Sequence, residues 1–198
     1  MVSAADPDVV GLILEALRSE RVIAIPTDTV YGLAADPKSM VAMNALFELK
    51  QRPKGVPVAV LAASVDQARS IVQPSARFED LARLHWPGAL TIVAPVANDA
   101  LLCLGDTTNA AGVATVGVRV PDHELITACA AEFGPIAATS ANVHGSPTIV
   151  DPSELRAAFG ARLDVIVDGG ELEGLASTVI DIGGAETTVL RQGMVQVD

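Results

Sequence analysis

Aromatic residues are scarce in this chain: one Trp, one Tyr and four Phe, 3% of 198 residues. The core must therefore be built from Ala, Val, Leu and Ile, and little remains for stacking on bases, which counts against a single-stranded nucleic-acid platform. Cations are scarce too. Thirteen Lys and Arg face 24 Asp and Glu, a formal charge of −11, so the long-range field repels phosphate backbones and any nucleotide site has to be locally basic. Cysteine is limited to Cys103 and Cys129, in apolar surroundings and without CxxC spacing. That suggests neither a disulfide framework nor a zinc site, and two free, buried thiols are expected. No basic segment followed by an apolar one opens the chain, and no apolar run approaches the roughly 20 residues of a membrane span. A soluble cytoplasmic protein with no membrane contact is expected. The patterns GxxxxGK[ST], GxGxxG, GxSxG and HExxH are all missing. His85, His123 and His144 lie on three different segments without metal-ligand spacing and read as cap, turn or surface residues.

Half the residues are apolar, and the length suits one domain over 1–198 that buries about 70% of its unfolded surface. The chain is organised around Val22 to Leu33. Its apolar, partly β-branched start reads as a buried strand that Pro26 ends by removing a backbone donor. Thr27, Asp28, Thr29 and Tyr31 then set three hydroxyls and a carboxylate at the strand end, where α/β sheets commonly place pockets. The alternative is a plain Asx/Thr turn.

Helices are predicted after Asp6-Pro7 and over Met40 to Gln51 or Arg52, Asp66 to Val72, Ala76 to His85 and Glu124 to Phe133, with a further start at Asp151-Pro152-Ser153-Glu154. Strands are predicted over Val56 to Ala62, Ala89 to Val96, Thr115 to Val120, Ile136 to Thr139, Val165 to Val167, Ser177 to Ile182 and Thr187 to Leu190. Gly105 to Asn109 reads as a mobile loop. This order predicts an α/β fold with a twisted, mixed sheet.

Lys50-Gln51-Arg52 puts two cations at a helix end, able to converge on a polyphosphate or simply to meet the negative end of the helix dipole. Ser140 and Asn142 face one side if the strand before them continues, and form a Ser/Asn turn if it does not. Arg119, inside Val-Gly-Val-Arg-Val-Pro, is costly to bury unpaired and requires an anion, from the protein or from a ligand. Arg191 raises the same question with less force.

Seven segments in order resemble the YrdC/TsaC family of L-threonylcarbamoyladenylate synthases: Pro26 to Gly32, Lys50-x-Arg52, Trp86 to Thr91, Val118 to His123, Ser140-Ala141-Asn142, Ser177 to Asp181 and Leu190 to Gly193. The resemblance implies a YrdC-like twisted sheet with flanking helices around a concave positive cavity. It implies that L-threonine, bicarbonate and ATP, with Mg²⁺, give threonylcarbamoyl-AMP and pyrophosphate for tRNA modification, the product passing to a threonylcarbamoyl-transferase complex. It places threonine on Thr29, Arg119, the Ala138 backbone and Ser177. ATP falls on Lys50, Arg52, Thr115, Ser140, Asn142, Thr148 and Arg191, with Lys50 and Arg52 as the catalytic cations. The short form, without an additional C-terminal domain, is expected. Where many relatives carry Asn then His after the Lys/Arg pair, this chain has Val56 and Leu61, and Gln192 stands at a common Pro. Two further readings share the resemblance: a carbamoyl-adenylate-forming relative, and a duplex RNA or tRNA binder, for which the acidic balance allows only a weak tRNA contact.

Overall fold

The computed structural model describes residues 1–53, 56–98, 100–105, 107–109, 112–172 and 174–197. In chain order its elements are β1 (Val2–Ser3), α1 (Val9–Arg18), β2 (Ile23–Ile25), β3 (Gly32–Ala35), α2 (Met40–Lys50), β4 (Ala59–Leu61), α3 (Val65–Arg69) and α4 (Ala76–His85). There follow β5 (Leu90–Pro95), β6 (Thr115–Arg119), α5 (Glu124–Phe133), β7 (Ile136–Ser140), α6 (Pro152–Phe159), β8 (Val167–Asp168), β9 (Thr178–Asp181) and β10 (Thr188–Arg191). Eight strands form one mixed sheet in the order β10-β9-β5-β6-β4-β7-β3-β2, and β1 pairs in parallel with β8 in a two-stranded ribbon.

Helix starts follow local chemistry. Ser39, Ser64 and Ser75 each accept a backbone amide of the first turn, from Ala42, Gln67 and Phe78. Asp151 accepts from Ser153 ahead of Pro152. The end of α2 comes one residue before Gln51, which takes a left-handed conformation with φ 53° and turns the chain toward Arg52.

The central strands are buried on both faces and alternate between two cores. Ile23, Ile25, Ala34, Leu61 and Ile136 pack on α1 and α5, while Ala24, Leu33, Ala35, Val60 and Ala137 face the core that also holds Met43, Leu46, Phe47, Phe78 and Phe159. Trp86 closes part of that second core, edge-on to Phe78 with its indole N–H donating to the Leu90 carbonyl at 2.7 Å.

Several sequence expectations are corrected. The strand expected over Val56 to Ala62 shrinks to Ala59–Leu61, because the Val56 and Pro57 carbonyls are taken by Arg52 at 2.8 and 2.7 Å instead of by a neighbouring strand. Gly32–Ala35, for which no strand was predicted, is an interior strand between β2 and β7, its weak β-former composition overridden by complete burial. β1 was not expected. The helix from Asp66 to Val72 ends at Arg69, and Val72 instead bridges Val96. Cys129 is buried as expected, but Cys103 is only half-buried. No helix among the described residues is long and apolar enough to cross a membrane.

Candidate functional site

α1 and α5 cover one face of the sheet over its β2, β3, β7 and β4 end. On the β4, β6, β5 and β9 side that face carries Ala59 and Leu61, Thr115, Gly117 and Arg119, Thr91 and Val93, and Val179 and Asp181, all at period two. These residues floor a cavity of about 590 Å³, walled by the Thr27 to Gly32 turn, the Ala138 to Ser140 end of β7, Arg52, Ser177 and the edge strand β10. That volume lies within the usual range of small-molecule sites.

At one end Arg119, 5% exposed, is fixed on all sides. Its Nη2 donates to Asp28 Oδ1 at 2.5 Å, its Nη1 to Thr29 Oγ1 at 2.9 Å and its Nε to the Gly88 carbonyl at 2.9 Å. The anion Arg119 requires is therefore a protein carboxylate. Burial holds its pKa below the ordinary guanidinium value, with Asp28 opposing that shift. The Tyr31 hydroxyl, expected beside Thr29, turns away to donate to the Gly170 carbonyl at 2.7 Å and to accept from Gly169 N at 3.0 Å.

Lys50 lies behind Ser140, 1% exposed. Its ammonium donates to the Ser140 carbonyl and Asn142 Oδ1, each at 2.6 Å, and to the Asn142 carbonyl at 3.1 Å. Burial first, then the Arg52 charge, lower its pKa to about 8. Ser140 Oγ donates to the same Asn142 Oδ1 at 2.7 Å, and Asn142 Nδ2 donates to the Ser146 carbonyl at 2.5 Å. Ser140 and Asn142 thus meet as a strand-end pair bonded to each other.

The third cationic group comes from Arg52 and Arg191. Arg191, on the exposed edge strand, folds its guanidinium back onto the Ser177 carbonyl at 2.8 Å and Ser177 Oγ at 3.1 Å. Ser177 Oγ also lies 3.0 Å from Thr91 Oγ1. Burial lowers the pKa of both arginines, and each feels a further cation, Arg191 for Arg52 and Arg119 for Arg191. Gly193 lets the following segment lie against Ser177, since a Cβ there would sit 2.3 Å from the Ala176 carbonyl oxygen.

Of the residues expected at the site, Thr29, Arg52, Thr115, Arg119, Ala138, Ser140, Ser177 and Arg191 line this cavity together. Lys50, Asn142 and Thr148 do not line it. Lys50 and Asn142 touch it through Ser140, and Thr148 is half-buried in the irregular segment that follows. Val56 and Leu61 both line it. Thr27, Thr91, Thr107, Asn109 and Asp181 join the lining without having been assigned a role. The polar period-two pattern Thr115-x-Gly117-x-Arg119 and Ser177-x-Val179-x-Asp181 was the signal that could have found the floor. The expected mobile loop includes Asp106, which lies outside the described residues. His85 falls in the last turn of α4, His123 just before α5 and His144 on an exposed turn.

A family model described as "Telomere recombination" (Sua5/YciO/YrdC) matches residues 15–193. Over 89% of the chain it is 38% identical to the threonylcarbamoyl-AMP synthase of Bacillus subtilis, and spans about half (51%) of that protein. It is 36% identical over 98% of its length to a putative threonylcarbamoyl-AMP synthase of Mycobacterium leprae, spanning 88% of that protein. The structure of P. abyssi Sua5 complexed with L-threonine superposes with a TM-score of 0.83 at 33% identity, covering 93% of this chain and 54% of that one.

Proposed function

Because the chain belongs to the Sua5/YciO/YrdC family, we propose that its cavity joins L-threonine, bicarbonate and ATP into threonylcarbamoyl-AMP with release of pyrophosphate. On this reading the protein is a nucleotidyltransferase that serves tRNA modification. The observation that carries the reading is the cavity itself. It sets one cation already neutralised by Asp28 beside two, Arg52 and Arg191, that form no ion pair among the described residues. Cations left without a protein carboxylate in a chain of net charge −11 suit a polyanionic ligand.

The amino acid binds at the Arg119 end, against Thr29, Ala138 and Ser177. Its amine condenses with bicarbonate, losing water, to a carbamate. A carbamate oxygen then attacks the α-phosphorus of ATP. The P–O bond to the β-phosphate breaks, pyrophosphate leaves, and a mixed anhydride with AMP remains. No protein nucleophile is needed, so catalysis rests on positioning and on stabilising the charge that grows on phosphate oxygens. Arg52 and Arg191 meet that charge directly. Thr115 and Ser140 line the cavity, while Lys50 and Asn142 support Ser140 from behind. Asp181 is the carboxylate lining the cavity among the described residues and would be the side chain to hold a Mg²⁺ carried by ATP. That ion would share the phosphate charge. The product anhydride hydrolyses in water, which suits direct transfer to a threonylcarbamoyl-transferase complex in the cytoplasm, with at most a weak tRNA contact.

The test is pyrophosphate release from ATP with bicarbonate and Mg²⁺, with and without L-threonine, and with L-serine or carbamoyl phosphate in its place. Threonine-dependent release is expected. Release with carbamoyl phosphate alone would move the protein to carbamoyl-adenylate formation, and tight, steeply salt-dependent tRNA binding without release would favour the RNA-binding reading.

A further inference from the structure

Thr27 takes no part in the reading above, yet it is 6% exposed and lines the amino-acid end of the cavity. Its Oγ1 lies 2.7 Å from the Val30 carbonyl. A carbonyl only accepts, so that contact consumes the single Thr27 hydroxyl proton. The 3.0 Å contact between Thr27 Oγ1 and Thr29 Oγ1 must then have Thr29 as its donor. Thr29 Oγ1 in turn accepts from Arg119 Nη1 at 2.9 Å, and Arg119 is itself held by Gly88 and Asp28. The hydrogen bonds therefore run one way, from Arg119 to Thr29 to Thr27 to the Val30 carbonyl. With its only proton spent on Thr27, Thr29 presents a lone pair to the cavity.

We infer that Thr27 is a positioning residue that takes the Thr29 proton, so that this end of the cavity presents a fixed hydrogen-bond acceptor and selects ligands that carry an N–H or O–H donor. This inference rests on the amino-acid reading of the site and refines it from a substrate class to a required polarity. Without the Thr27 oxygen, Thr29 is free to rotate and to donate as well as accept, and the site loses its preference for a donor. Thr27 Oγ1 also lies 3.2 Å from the Thr29 and Val30 amide nitrogens, so its two lone pairs are shared among three donors and it holds the turn in place as well.

The experiment is calorimetric binding of L-threonine, 3-hydroxybutyrate, which lacks the amine, and L-2-aminobutyrate, which lacks the hydroxyl. It is run on the unmutated protein, Thr27→Val and Thr27→Ser. The unmutated protein is expected to prefer L-threonine by about tenfold over the analogue missing the donor that Thr29 accepts. Thr27→Val should shrink that preference to about twofold, and Thr27→Ser should restore it, whereas a purely structural role would weaken all three ligands alike. A folded Thr27→Val protein with an unchanged preference overturns the inference. If Thr27→Val does not fold, the other two proteins carry the test: preference retained in both supports the inference, and equal affinity for all three ligands overturns it. No heat from any ligand in the unmutated protein would overturn the amino-acid reading itself, and the inference with it.

Discussion

Arg119 and Lys50 are both nearly inaccessible, 5% and 1% exposed, but they are held in opposite ways. Arg119 has a carboxylate, Asp28, at 2.5 Å, so the pair is locally neutral. Lys50 has only carbonyl, amide and hydroxyl oxygens around it and forms no ion pair among the described residues. Dipoles offset its desolvation only in part, which is why its pKa falls to about 8. The same imbalance runs along the cavity, where Lys50 feels Arg52, Arg52 feels Arg191 and Arg191 feels Arg119. One end is thus neutral and shaped for orientation. The other keeps an uncompensated positive potential that a bound anion would offset.

The comparison breaks most severely at the balanced end. Arg119→Ala leaves the Asp28 carboxylate, only 13% exposed, without its partner. Urea unfolding should show a loss of about 3–5 kcal/mol, together with loss of L-threonine binding by calorimetry. At the unbalanced end the expected outcome is the reverse. Arg52→Ala removes a cation with no carboxylate to strand, so the thermal midpoint should move little. Pyrophosphate release should fall by about 10²–10³, the scale of losing one preorganised charge-stabilising donor.

Lys50 sharpens the contrast through pH. Its folded pKa of about 8 lies below the ordinary lysine value of 10.5, so between those limits the unfolded chain binds more protons than the folded one. The contribution of Lys50 therefore favours folding above pH 10.5 and is lost as pH falls through 8, by up to about 3 kcal/mol. Urea midpoints of the unmutated protein should gain over those of Lys50→Met as pH rises from 8 to 10.5, and a constant difference would mean that Lys50 does not titrate in this window. The smallest effect belongs to a surface pair. Arg69 binds Glu79 at 2.6 Å, but its side chain is 43% exposed, and Arg69→Ala should leave both the thermal midpoint and turnover unchanged.

Much of the fold was legible because its signals are local. Ser39, Ser64, Ser75 and Asp151 cap helices with their own side-chain oxygens. Pro87-Gly88 stops α4 and Pro121-Asp122 opens α5, so both helices were placed to the residue. β3 was not legible: Gly-Leu-Ala-Ala carries no strand signal, and pairing with β2 and β7 alone makes it one. Most of the expected site residues gather at one cavity, but their sequence positions did not say which of them would face it. Lys50 and Arg52, two positions apart, part company at the left-handed Gln51, one behind Ser140 and the other on the lining.

The sequence by itself determined where elements begin and end, and which residue types a charged pocket would draw on, since caps, proline breaks and periodicity act within a few residues. Tertiary structure alone decided which charge meets which. Arg119 meets Asp28 across 91 positions, and Lys50 reaches Asn142 across 92. Those meetings depend on the order β6-β4-β7-β3 in the sheet, and electrostatic pairing follows distance in space, to which separation along the chain is no guide.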